Sequence, residues 1–394
     1  MSLAPNPKPT FAGEVQFAGY SSRSGPRVTL RLADRDRSVV RGRAMSIEWL
    51  ARQLASASVS GSTPRSRSRL LCSAPRWPTW RSTVGANSKI EWTDHTWNPW
   101  IGCTKVGPGC DHCYAEAWDR RFAVSGHAMR WGANKPRTRT SADNWRQPLK
   151  WNAQAQREGR RYRVFCASLA DVFDNEVPKE WRIDLFELIR TTPHLDWLLL
   201  TKRIGNAAAM MRAARGYAAL DMTADPPRIE PLPNVWLGAT IVNQEEADRD
   251  IPKLLAVPAA KRFLSMEPLL GPVDISSYLC DFDLGNGSRW GNLHWVIVGG
   301  ESGPGARPFD TAWAHSIVEQ CSSAGVACFL KQLGAHVIQG GERRMKRDKK
   351  GGDMSEWPHE IRVREVPDAA GRPLSPTHST TSTRSRHPTP PCSE

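Results

Sequence analysis

Six short apolar runs recur through the middle of the chain, at residues 163–167 (RVFCA), 197–200 (WLLL), 235–239 (VWLGA), 262–264 (RFL), 295–298 (WVIV) and 327–330 (ACFL). Taking their centres at 166, 199, 237, 264, 297 and 329, the spacings are 33, 38, 27, 33 and 32 residues. A strand, its covering helix and two turns consume about 30 residues or more, so this cadence confines the segment to repeated strand–helix units. The runs show little alternation, as expected when helices cover both faces of a parallel sheet. Between them lie helical patterns: 181–190 after Pro178, 206–215, 244–256, and 311–324 ending at Gly325. The expected fold is α/β, a partial TIM-like (β/α) barrel of about six to seven parallel strands, counting a strand that leads into Cys103. An open doubly wound sheet is the alternative.

The flanks have a different texture. Residues 1–87 are rich in Arg and Ser, with STPRSRSR at 62–69, and residues 373–394 are low-complexity Ser/Thr/Pro sequence. Neither sustains a period of 2 or 3.6, apart from a short amphipathic stretch at 45–54, so both are expected to be disordered extensions of a barrel domain at 88–372. The net charge of +14 divides accordingly: +10 falls in 1–87, +1 in 373–394 and +3 in 88–372. The basicity that would suggest a nucleic-acid partner thus lies mostly outside the patterned segment. No apolar run approaches the roughly 18 residues of a membrane helix, and no secretory signal opens the chain, so a cytoplasmic protein with no membrane partner is expected. Nine Cys, an odd number, argue for reduced thiols or a metal centre rather than a disulfide framework.

The residues just past each run carry the chemistry. The runs end in Ser168 and Asp171; Thr201, Lys202 and Arg203; Thr240 and Asn243; Ser265 and Glu267; Gly299, Gly300, Glu301 and Ser302; and Lys331 and Gln332. Barrels and open α/β sheets build their sites at the carboxyl ends of strands, so these groups are the candidate site. Upstream, Cys103, Cys110 and Cys113 stand in a C-x6-C-x2-C pattern on a Gly/Pro-rich loop, followed by a helical stretch at 115–124. The close pair supplies two thiolates on one turn, and the six-residue spacer lets Cys103 fold back to a third corner. A structural zinc normally has four ligands, whereas a cluster held by three thiolates leaves one iron open. His95 and His112 keep zinc as an alternative. Cys166, Cys280, Cys321 and Cys328 read as small apolar side chains in strands, a connection and a helix. They carry no role, nor do Cys72 and Cys392 in the extensions.

The segments IEWTDHTWNPWIGCTKVGPGCDHCYAE, LLLTKR, VWLGATIVNQ, RFLSMEPLLGPV, WVIVGGESGPGARP and FLKQLG, in order over about 88–360, resemble the phage-associated Gp37/Gp68-type proteins, a family with a three-Cys motif. That family is similar to radical S-adenosylmethionine (SAM) enzymes. The resemblance implies a 4Fe-4S cluster with Cys103, Cys110 and Cys113 on three irons and SAM chelating the fourth, and His112 matches the aromatic position before the last Cys. It departs from those enzymes in a first Cys interval of six instead of three. Gly299-Gly300-Glu301 also follows the fifth run, whereas their Gly-Gly-Glu follows the second strand; Met266-Glu267-Pro268-Leu269 is a second, partial match.

On that reading an electron donor reduces the cluster, SAM is cleaved to a 5′-deoxyadenosyl radical, and the radical abstracts hydrogen from a substrate of unknown identity, a nucleic acid being one class. Glu267 and Glu301 would meet the SAM ammonium or ribose. Lys202, Arg203 and Lys331 would meet an anion, either the SAM carboxylate or a substrate phosphate. The glycine-rich loop from Gly299 and Gly300 through Ser302 to Gly305 would let backbone approach the ligand. The competing reading is a phage-derived nucleic-acid-binding or repair protein with a structural zinc, supported by Trp92, Trp97, Trp100 and the basic run at 343–350 (RRMKRDKK). A scaffold without catalysis would leave the strand-end groups unexplained.

Overall fold

All six runs are strands, preceded by a seventh, in a computed structural model that describes residues 84–86, 88, 90–123, 128–221, 228–279, 293–368 and 371–374. The expected extensions at 1–87 and 373–394, with the amphipathic stretch at 45–54, lie outside the described residues except at their inner margins, as do Cys72, Cys280 and Cys392.

The strands are β1 His95–Trp97, β2 Tyr162–Cys166, β3 Leu195–Thr201, β4 Val235–Thr240, β5 Lys261–Met266, β6 Trp295–Gly299 and β7 Ala327–Gln332. Each pairs in parallel with the next in chain order, giving a seven-stranded parallel half-barrel whose end strands do not pair with one another. Both edges are covered. Val84–Ala86 pairs antiparallel with β1. Along β7, Leu330 N donates to Val363 O at 2.9 Å and Glu365 N to Cys328 O at 2.8 Å.

Among the described residues seven α-helices connect the strands: α1 Tyr114–Ala123, α2 Ala142–Glu158, α3 Lys179–Arg190, α4 Ile204–Ala213, α5 Gln244–Leu255, α6 Ser276–Leu279 and α7 Thr311–Ala324. The five expected ones differ from observation by at most two residues at either end. Their boundaries follow local chemistry: Asn243 caps α5 by accepting from Glu246 N at 2.9 Å, and Gly325 ends α7 at φ 67°. The 17-residue α2 was not anticipated, because Pro148 and a run of Arg, Gln and Lys obscure its pattern. Its signals are the Ser141 cap, Gly159 at φ 63°, and a buried stripe of Trp145, Pro148, Trp151 and Ala155. Among the described residues no helix is long and apolar enough to cross a membrane.

Side chains alternate across a strand, and the inward row of the half-barrel changes character along its length. Its lower part is an aromatic floor: Phe165 of β2, Trp236 of β4, Phe263 of β5, Trp295 of β6 and Phe329 of β7, with Trp92 inserted from the segment before β1. The Trp295 ring lies 6.0 to 6.1 Å from those of Trp92, Trp236, Phe263 and Phe329, mostly edge to face. Gly238 makes room on β4, since a Cβ there would fall 2.3 Å from Phe263 Cζ. The outward row packs against the helices. Both rows being buried is why alternation is weak in the sequence.

Candidate active site at the carboxyl ends of the strands

A cavity of about 460 Å³ opens above the aromatic floor, and Cys103, Cys110 and Cys113 all line it. The strand-end groups meet there as well. Asp171 and Ser168 follow β2, Lys202 and Arg203 follow β3, Thr240 ends β4, Ser265 and Glu267 come from β5. Gly300, Glu301 and Ser302 follow β6, while Lys331 and Gln332 end β7. Two of the expected groups serve otherwise. Asn243 is the α5 cap, and Gly299 leaves the space that Glu267 occupies, a Cβ there falling 2.9 Å from Glu267 Oε1. Gly300 is held equally close, with Leu333 O at 2.4 Å from a Cβ position.

The cysteine loop is braced by buried arginines. Arg203 donates through Nη1 to Cys103 Sγ at 3.3 Å and through Nη2 to Thr104 O at 2.6 Å, and pairs with Asp171 at 3.4 Å. Arg137, buried, bonds Thr104 Oγ1 at 2.7 Å and Asp174 Oδ2 at 2.8 Å, and three carbonyls of the 130–135 segment. Arg203 therefore lines the cavity with its guanidinium already committed to the loop. Gly102, at φ 115°, brings the loop against Arg130 O at 2.6 Å from its Cβ position, closer than any side chain allows. Cys103 and Cys113 pack on one apolar cluster of Ile101, Ala115, Trp131 and Leu169, while Cys110 ends a single 3-10 turn at Pro108–Cys110. Burial, with the Asp171 carboxylate adding to it, pushes the Cys103 thiol up to about 12 against the pull of Arg203.

The opposite wall divides its charges between used and unused. Glu301 accepts from Arg307 N at 2.8 Å and Arg307 Nε at 3.0 Å, also meets Arg307 Nη2, and lies 2.9 Å from His112 Nδ1. Burial alone would raise its carboxyl, but the Arg307 and His112 hydrogen bonds outweigh burial and hold it at about 2. Arg307 also reaches Asp111 Oδ2 at 3.2 Å and Pro108 O at 2.9 Å, so one arginine ties the loop after β6 to the cysteine loop. Glu267 pairs with Lys331 at 2.9 Å. Lys202, by contrast, makes no ion pair among the described residues, and its stem runs beside Gly109, where a Cβ would fall 3.3 Å from Lys202 Cε. Thr240 lies in register with Ser265, and Lys202 follows Thr201, the last residue of β3, which is in register with Ala239. Among the described residues the buried Thr240 Oγ1 has no hydrogen-bond partner, an arrangement that a bound polar group would satisfy.

Among the described residues no three His, Cys, Asp or Glu side chains converge as ligands of a single ion. Thiolates that hold an iron–sulfur cluster bind separate irons and need no common point. His95 stands apart, stacked 4.1 Å from Trp151. Arg137, Arg307 and Tyr114, whose hydroxyl donates to Ser168 O at 2.6 Å, are site residues that the sequence reading missed. The contacts that tie them to the cysteine loop and to Ser168 span 33 to 199 residues of sequence and leave no local signal. A family model described as "Protein of unknown function (DUF5131)" matches residues 87–375. No curated protein and no solved structure matches the chain.

Proposed function

The chain belongs to the DUF5131 family of proteins of unknown function, and from that premise we propose that it is a radical SAM-type iron–sulfur enzyme, akin to the phage-associated three-Cys proteins. One observation carries the reading: three loop cysteines and the polar ends of six parallel strands line a single cavity over a closed apolar floor. Cys103, Cys110 and Cys113 would hold a 4Fe-4S cluster. When bound, cluster and SAM together supply one-electron cleavage of the sulfonium and a carbon-centred radical able to abstract hydrogen.

The chain's own residues do the positioning. Arg203 and Arg137 fix the backbone on which Cys103 stands, and Arg307 fixes Pro108 and Asp111 around Cys110. Lys202, without an ion pair among the described residues, offers an ammonium for a carboxylate, and Thr240 and Ser265 offer hydroxyls in register with one another. Glu267, ion-paired with Lys331, is an acceptor for an ammonium or ribose hydroxyl, with Gly299 giving it room. The floor excludes water from below, which strengthens every polar contact in the cavity.

A zinc site closed by His112 is the second reading. Its support is the Nδ1 contact with Glu301, since metal-bound imidazoles commonly direct their other nitrogen to a carboxylate. Reduction of anaerobically reconstituted protein with dithionite, in place of the electron donor, separates the two. SAM is expected to yield 5′-deoxyadenosine with wild type and none with Cys110→Ala; absence of product from iron-loaded wild type would refute the proposal.

A further inference from the structure

A short hairpin leads into a basic segment whose end is hydrogen-bonded to β7, one wall of the cavity. Val337–Gln339 and Glu342–Arg344 pair antiparallel through Gly340 and Gly341, both at positive φ, the two-residue turn that matches strand twist. Residues 343–350, from the second strand of this hairpin into the turn that follows it, place six cations, Arg343, Arg344, Lys346, Arg347, Lys349 and Lys350, against Asp348, with Glu342 directly before them. The net +5 of residues 343–350 exceeds the +3 of residues 88–372 as a whole, so the rest of that segment is net negative.

The nearby acids do not neutralise it. Asp348 accepts backbone N–H groups of Lys350, Gly352 and Asp353 and so shapes the turn. Glu356 takes Arg347 at 3.1 Å together with two backbone N–H groups. Arg344 turns to Gln339 and Lys346 to Lys349 O, leaving five of the six cations without an ion pair among the described residues. The run is also anchored to the cavity wall. Leu333 N donates to Gly351 O at 2.8 Å, and Arg364 Nη2 bonds both Gly352 O and Lys331 O, joining the end of the basic segment to a cavity residue.

We infer that this basic segment binds the phosphate backbone of a nucleic-acid strand and leads it to the mouth of the cavity. The inference rests on the proposed reading of the cavity as a reaction site, and it names the substrate class. A stripe of unneutralised Arg and Lys is the electrostatic footprint of a polyphosphate. A fixed cavity next to it suits chemistry on one nucleotide drawn out of its stack. An anionic lipid surface would meet the charges but would leave the adjoining cavity unused.

The test uses the full chain and fluorescently labelled 20-nucleotide single strands and duplexes, with anisotropy titrations from low to high salt. Because residues 1–87 carry a further net +10, the readout is the difference made by Arg343→Gln/Lys349→Gln/Lys350→Gln. Loss of about three phosphate contacts should flatten the log–log salt slope by about 2 to 3 and weaken binding on the order of tenfold or more at low salt. The thermal midpoint and reconstituted iron should match wild type, which keeps this result separate from the fate of the cluster. An unchanged slope and affinity would overturn the inference, as would failure of wild type to bind either oligonucleotide while it binds phosphatidylserine vesicles.

Discussion

The inward row of the half-barrel is two regions in one. On β5 it runs from Phe263 through Ser265 to Glu267, and on β7 from Ala327 through Phe329 to Lys331. Below, the row is aromatic and its partners are one another. Above, it is polar, and its partners are loops that come from far along the chain. The change occurs within two to four residues of a strand, so the same backbone that supplies a stable floor also fixes the height of every group in the cavity. Stability and chemistry are separated by level rather than by element, and substitutions at the two levels should fail differently.

The largest effect on stability is expected at the floor. Trp295→Ala removes the ring around which Trp92, Trp236, Phe263 and Phe329 pack and should cost about 3–5 kcal/mol in urea unfolding. A loss under about 1 kcal/mol would mean that the floor is not the core. Arg203→Met, at the boundary, leaves Asp171 and the Cys103 loop without their buried partner. About 3 kcal/mol should be lost, together with metal retention; unchanged metal content would deny Arg203 its bracing role. Gly238→Ala forces a Cβ into the Phe263 ring and should cost about 1–3 kcal/mol, with metal binding preserved.

Glu301 sharpens the contrast through pH. Its carboxyl is held at about 2, below its ordinary 4.5, so the stability it contributes is fully present above 4.5 and is lost as pH falls toward 2. Glu301→Gln should therefore be less stable than wild type at neutral pH by on the order of 1–2 kcal/mol, converging with it in strong acid. Parallel pH curves would assign the stabilisation elsewhere. Smallest of all for folding, Cys113→Ala should shift stability by less than about 1 kcal/mol while abolishing metal retention. A large loss of stability without loss of metal would make the loop part of the core.

The floor and its strands were legible in the sequence because a doubly covered strand must be apolar throughout, and 295–298 or 235–239 has no other use in a globular chain. The cavity was legible as far as strand ends such as Glu267 and Lys331 directly follow those runs. What pairs with what was not. Nothing near Arg307 in sequence announces Asp111, nothing near Glu301 announces His112 and nothing near Arg137 announces Thr104, because these partners meet only through the fold. The alternation that separates the inward from the outward row was hidden because the outward row is equally buried, against the helices. Helix α2 was missed for a local reason, Pro148 inside a polar run that still presents Trp145 and Trp151 to the core.

Metal identity tests the central claim most directly. Full-length protein, reconstituted anaerobically with iron and sulfide in competition with zinc, should turn brown and carry about four irons per chain. Cys110→Ala and Cys113→Ala should carry none. One tightly held zinc with no iron would contradict the account and leave the three cysteines as a structural site.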